Sequence, residues 1–142
     1  MPVKLLLLLA FGLSAYLTGL IWVVQLVHYP AFAQVPPAAF RSFHQAHMAR
    51  MGWVVMAPMV AELGLAAWLF WQGRSPAAAW GLGLVVAIWL VTFLISVPLH
   101  NRLAAVGYDA AAIASLVRTN WLRTALWTVR LGLTGAMLYQ AR

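Results

Sequence analysis

Four apolar stretches, separated by short polar or proline-bearing breaks, organise this chain. The first runs from about Leu5 to Val27 and closes on His28, Tyr29 and Pro30. The others cover about 51–71, 77–99 and 121–139. Each is close to the roughly 20 residues that cross a hydrocarbon core at about 1.5 Å per residue. The pattern predicts an all-α, polytopic membrane protein, a single four-helix transmembrane bundle over residues 1–142. Residues 1–9 resemble a signal peptide, with Lys4 before a run of leucines. Apolar character continues to Val27, however, beyond an h-region of about 7–15 residues, so the segment reads as a retained first span.

The breaks carry their own signals. Pro36–Pro37 predicts a helix start. The stretch from Ala38 to Arg50 holds Arg41, His44, His47 and Arg50, the pattern of an amphipathic interfacial segment before the second span. Pro58 predicts a kink within that span. Pro98 interrupts the third, which closes on His100, Asn101 and Arg102, and Asp109 is placed to cap the last helix.

Helical spacing sorts the polar residues onto faces. Asn120, Arg123, Trp127, Arg130 and Thr134 step by three and four along the last helix. Thr92, Ser96 and His100 repeat every four residues in the third span. Ser14, Thr18 and Gln25 share a face of the first, and His44, His47, Met51, Pro58 and Glu62 share roughly one of the second. Hydrocarbon rejects these groups, a mid-membrane charge costing at least about 2.5–3.5 kcal/mol, so the four stripes must converge inside the bundle.

With alternating helix direction, His28, His44, His47 and His100 fall toward one membrane side. Neutral imidazole ligates transition metals and haem iron, and the His44–His47 spacing can present two rings to one ion. The four histidines are therefore candidate ligands for a transition metal or haem, although interfacial histidines also simply bond water and carbonyls. Tyr29 is a candidate proton relay. Asn120 and Arg123 are candidates for orienting a substrate's oxygen atoms. Glu62 lies too far along its helix to join the histidines and is expected to form a buried ion pair with Arg130. Trp127 and Asn101 are expected to line the pocket.

Composition sharpens this picture. The sequence is 65% hydrophobic and 8% charged, which leaves too little polar surface for a soluble domain. Absence of cysteine excludes disulfides and thiolate chemistry. Net charge is +7, but the bases are scattered with no basic face or recognition motif, so lipid headgroups rather than nucleic acid are the expected partners. By the positive-inside rule, the side holding Arg41, Arg50, Arg102, Arg118 and Arg123 is cytoplasmic, with Lys4, Arg74 and Arg142 external. Trp53, Trp71, Trp80 and Trp121 fit an aromatic belt. Gly12, Ala15, Gly19, Gly132 and Gly135 read as close-packing positions.

The segments WVVQLVHYPAF, RMGWVVMAPMVAE, TFLISVPLHNRL and NWLRTALWTVR together resemble a family of uncharacterised bacterial four-helix integral membrane proteins. The resemblance implies a multi-pass protein of the bacterial inner membrane. The pattern PxHNxL followed by NWxRTxxWxxR, within the last two helices, more distantly resembles anthrone-oxygenase-like membrane proteins, and implies oxygenase chemistry. The expected function is thus a metal- or haem-dependent oxidoreductase or oxygenase acting on a lipophilic small molecule from the bilayer. A small proton-coupled carrier, working as a homo-oligomer, and an accessory subunit of a membrane complex are the alternatives.

Overall fold

The computed structural model describes residues 3–73 and 75–141, and Arg74 and Arg142 lie outside the described residues. Four long helices follow one another: α1 (Val3–Gln34), α2 (Pro37–Gly73), α3 (Pro76–Val106) and α4 (Ala110–Gln140). The connections at 35–36, 74–75 and 107–109 are too short for anything but antiparallel neighbours. α1 packs on α2 and α4, and α3 packs on the same two, so the helices close into a ring.

Three of them, α1 to α3, are long and apolar enough to cross a membrane. α4 falls short by composition because it carries Asn120, Arg123 and Arg130, all three of them buried against the other helices. The bundle's interior combines an apolar core with a set of buried polar side chains, while its outside is largely apolar. Ser14, His44, Glu62, Asn120 and Thr134 have no exposed surface, while Leu26, Val27, Leu94 and Val129 face outward. Trp53, Trp71 and Trp80 are also strongly exposed. Such an outer surface suits lipid contact.

Two boundaries differ from the sequence expectation, for one shared reason. α1 continues through His28, Tyr29 and Pro30 to Gln34, and α3 continues past Leu99 to Val106. In each, a π-helical turn ends two residues before a proline: Val24–His28 before Pro30, and Thr92–Ser96 before Pro98. A proline ring collides with the carbonyl four residues earlier and offers no amide hydrogen. A widened turn relieves that collision, so the helix carries on where periodicity alone suggests a stop. The helical pattern expected from Ala38 to about Trp71 is one continuous helix, α2, with the amphipathic stretch as its first turns and Pro58 inside it. Its 37 residues extend about 55 Å, against about 30 Å of hydrocarbon.

The cap at Asp109 is present, its Oδ1 accepting from the Ala112 amide at 3.0 Å. Gly107 before it adopts φ 88°, the left-handed conformation that lets the chain reverse. The close-packing reading of the glycines needs correction. A Cβ at Gly12, Gly19 or Gly132 would meet nothing within 4 Å, and only Gly135, against Phe11 at 3.3 Å, is tight. The glycine that matters more is Gly81, where a side chain would collide with the Arg130 guanidinium.

Candidate functional site

α4 supplies the shared wall of two polar clusters. All five residues of its polar stripe, Asn120, Arg123, Trp127, Arg130 and Thr134, are buried. The deeper cluster is closed. Arg130 Nε donates to Glu62 Oε1 at 2.8 Å, and Ser14 Oγ donates to the same oxygen at 2.7 Å. Both charged side chains are essentially unexposed. The ion pair anticipated from the sequence is therefore present, and Gly81 makes room for it.

The second cluster gathers the four histidines. The π turn of α1 carries His28, and Tyr29 follows it; α2 presents His44 and His47 one turn apart; α3 presents His100 just beyond Pro98. His28 Nε2 lies 2.7 Å from His47 Nδ1, and His44 Nε2 lies 3.0 Å from His100 Nδ1. The His100 ring also reaches Tyr29, Nε2 to hydroxyl 3.0 Å. His47 and His100 stack with ring centroids 5.4 Å apart, which joins the two pairs. Which nitrogen of each pair carries the proton depends on the tautomer.

As the rings stand, their nitrogens face one another in pairs rather than one common point. Among the described residues no group of three or more His, Asp, Glu or Cys side chains is arranged to hold a metal ion. The expectation of a ready-made ligand set thus meets a hydrogen-bonded tetrad instead.

Beside the tetrad lies a cavity of about 140 Å³. Leu17, Leu20, Ile21 and Val24 of α1 line it, with Met48, Met51, Val55, Met56 and Met59 of α2. Its polar groups are Tyr29, His47, Thr92, Ser96, His100 and Arg123, and Trp127 completes the wall. Met48 and Met56 are also partly exposed on the outer face of the bundle, so the apolar walls run out to the surface.

Several assignments change at this point. Of the four histidines, only His47 and His100 line the cavity; His28 and His44 stand behind them as hydrogen-bond partners. Asn120 does not face the cavity. Its amide nitrogen donates to Gln25 Oε1 at 2.9 Å and its oxygen accepts from Arg123 at 3.3 Å, so it holds neighbours rather than a ligand. Asn101 is exposed and lines no part of the cavity, because one residue past buried His100 the helix has turned outward. Tyr29, Arg123 and Trp127 do line it.

Neither a family model, nor a curated protein, nor a solved structure matches this chain. Function must therefore be argued from the site.

Some of its parts gave no sequence signal. Phe32, fully buried, packs its ring 5.0 Å from His47 and 5.4 Å from His28, at the centre of the aromatic cluster. It sits beyond Pro30, where the span was expected to have ended. Ser96, which accepts from Arg123 at 3.4 Å, was visible on its helical face, but its partner was not. Gln25 links two helices, donating to the Val117 carbonyl at 3.1 Å while accepting from Asn120.

Proposed function

We propose that this chain is a four-span integral membrane protein that binds a lipophilic small molecule entering sideways from the bilayer. Its polar end suits an oxygen-bearing, ring-containing head, and the chemistry that its own residues supply there is proton transfer. The observation that carries the reading is the cavity, whose methionine and aliphatic walls end on Tyr29, His47, His100 and Arg123. A void of about 150 Å³ in a protein core accepts benzene, so this cavity of about 140 Å³ fits one aromatic ring. A porphyrin is far larger, which makes haem the poorer fit.

The residues have distinct roles in this reading. The Tyr29 hydroxyl, His100 and His44 form a hydrogen-bonded chain that can accept a proton from the bound head and pass it inward. His47 offers a second imidazole at the cavity, steadied by His28. The fourth helix spans because its polar stripe is turned inward, and the arginine-rich end is the cytoplasmic side of a bacterial inner membrane.

Equilibrium binding of para-hexylphenol to the protein in lipid nanodiscs tests this. Gly52 lines the cavity and a Cβ there meets nothing within 4 Å, so Gly52→Phe starts from open space and is the variant aimed at filling it. Binding should be saturable in the native protein and lost in this variant at unchanged thermal stability. Equal binding by both proteins would end the proposal.

A second reading has its own support. Two imidazole pairs with facing nitrogens at 2.7 and 3.0 Å, joined by a stacked contact, need only ring rotations to converge on a transition metal such as zinc, copper or iron. Metal analysis of purified protein decides it. Stoichiometric metal, lost in His47→Phe and His100→Phe, is the supporting result. Folded protein that binds the phenol but takes up no metal leaves the relay alone.

A further inference from the structure

Only two acidic residues, Glu62 and Asp109, occur in the sequence. Both are engaged: Glu62 with Arg130, and Asp109 with Arg102 at 2.7 Å. Arg41, Arg50, Arg102 and Arg118 are exposed, where water or headgroups can solvate them. Arg123 differs from all of these. It is 7% exposed, and neither carboxylate is available to it. Its NH1 donates to Ser96 and Asn120, both neutral, and its Nε is buried with no hydrogen-bond partner. The Tyr29 hydroxyl lies close enough to interact with it, but a tyrosine is neutral at ordinary pH.

Long cationic side chains commonly snorkel toward water, and Arg123 instead turns inward to the cavity. A guanidinium cannot escape burial by giving up its proton, as a lysine can. Its counter-charge must therefore come from outside the chain. Arg123 lines the ring-sized cavity, whose apolar walls run out to the surface.

Building on the cavity reading above, we infer that the occupant is a lipophilic anion. Its ionised oxygen, a carboxylate or a phenolate, is set against Arg123, with Ser96 and Tyr29 as flanking hydroxyls. Its apolar body lies between Met48 and Met56 toward the bilayer. The almost wholly apolar walls favour an organic anion over an inorganic one, which would leave them facing empty space.

The test uses native protein in nanodiscs of zwitterionic phosphatidylcholine, with para-hexylbenzoate and its methyl ester as probes. The ester reports whether the cavity takes such a molecule at all, and the acid-to-ester affinity ratio reports the anion preference. We expect the acid to bind about tenfold tighter or more, as a charge-assisted guanidinium contact predicts. Arg123→Gln should abolish this ratio by weakening acid binding far more than ester binding, since the ester carbonyl loses only a single hydrogen bond. Arg123→Lys, which keeps the charge but not the planar fork, should retain part of the ratio and serves if the Gln variant does not fold. Ester binding with no preference for the acid, or a preference that survives Arg123→Gln, overturns the inference alone. Failure of both probes removes the cavity reading and the inference with it. A preference that disappears when gluconate is replaced by chloride would mean that a small inorganic anion is the occupant, and would also overturn it.

Discussion

Arg123 and Arg130 stand on one face of α4, two turns apart, and both are buried, yet their surroundings are opposite. Arg130 meets Glu62 at 2.8 Å, in a space that Gly81 keeps open, and Ser14 donates to the same carboxylate oxygen, while Glu62 Oε2 and one terminal nitrogen of Arg130 are buried without partners. Arg123 meets only neutral side chains and the wall of a cavity. Within the same low-dielectric interior, one cation is neutralised by the fold and the other is left for something else to neutralise. The closed charge holds helices together. The open one lines the cavity together with His47 and His100 of the histidine tetrad.

The largest expected effect comes from breaking the closed charge. Glu62→Leu strands the Arg130 guanidinium and should destabilise the protein by about 3–5 kcal/mol, whereas Glu62→Leu with Arg130→Met should recover most of the loss. Arg123→Met removes a charge that no carboxylate balances, so it should change thermal stability by less than about 1 kcal/mol while abolishing anion binding. Unfolding curves in one detergent measure all three, and equal losses for Glu62→Leu and Arg123→Met would erase the distinction. Next in size is Gly81→Ala, whose methyl group must displace the Arg130 guanidinium, at about 1–3 kcal/mol. That penalty should vanish in an Arg130→Met background, because the two positions act on the same atoms.

Which residues point inward was legible in the sequence to an unusual degree. Hydrocarbon leaves a polar side chain only one acceptable direction, so spacing alone identified the α4 stripe, the Glu62–Arg130 pair and the gathering of His28, His44, His47 and His100. What spacing could not supply was distance within the cluster. Asn101 was placed by its neighbour His100 and Asn120 by the face it shares with Arg123, but a helix turns about 100° per residue, and Asn120 spends its amide on Gln25 and Arg123. Helix ends were misread at Pro30 and Pro98, where a π turn absorbs the proline. That accommodation hid Phe32, which periodicity placed outside the span. No match stands behind either resemblance, so the helix count rests on the structure alone and the oxygenase implication of the anthrone-oxygenase-like pattern has no comparison behind it.

The tetrad itself should respond in a graded way. His100→Phe keeps a ring but strands both the Tyr29 hydroxyl and His44, and should cost about 1–2 kcal/mol. His28→Phe removes a half-buried ring that bonds only His47, and should cost less than about 1 kcal/mol. Reversal of that order in unfolding measurements would mean that His28, rather than His100, anchors the cluster.

The smallest effect lies outside the bundle, at the start of α4. The Ala112 amide and the neighbouring Arg102 hold the Asp109 carboxyl below its ordinary value. A carboxylate bound more tightly to its partners when folded adds stability at every pH above its ordinary unfolded value of about 3.9. That contribution fades as pH falls through the lowered folded value. Asp109→Ala should therefore melt below the native protein at pH 6, and the gap should narrow as pH falls below about 3.9 and through the lowered folded value. Asp109→Asn, still able to accept from the Ala112 amide, should show a smaller gap that depends less on pH. A gap between native protein and Asp109→Ala that stayed constant down to acid would show that the side chain acts through its shape rather than its charge, leaving Glu62 as the only carboxylate whose ionisation the fold uses.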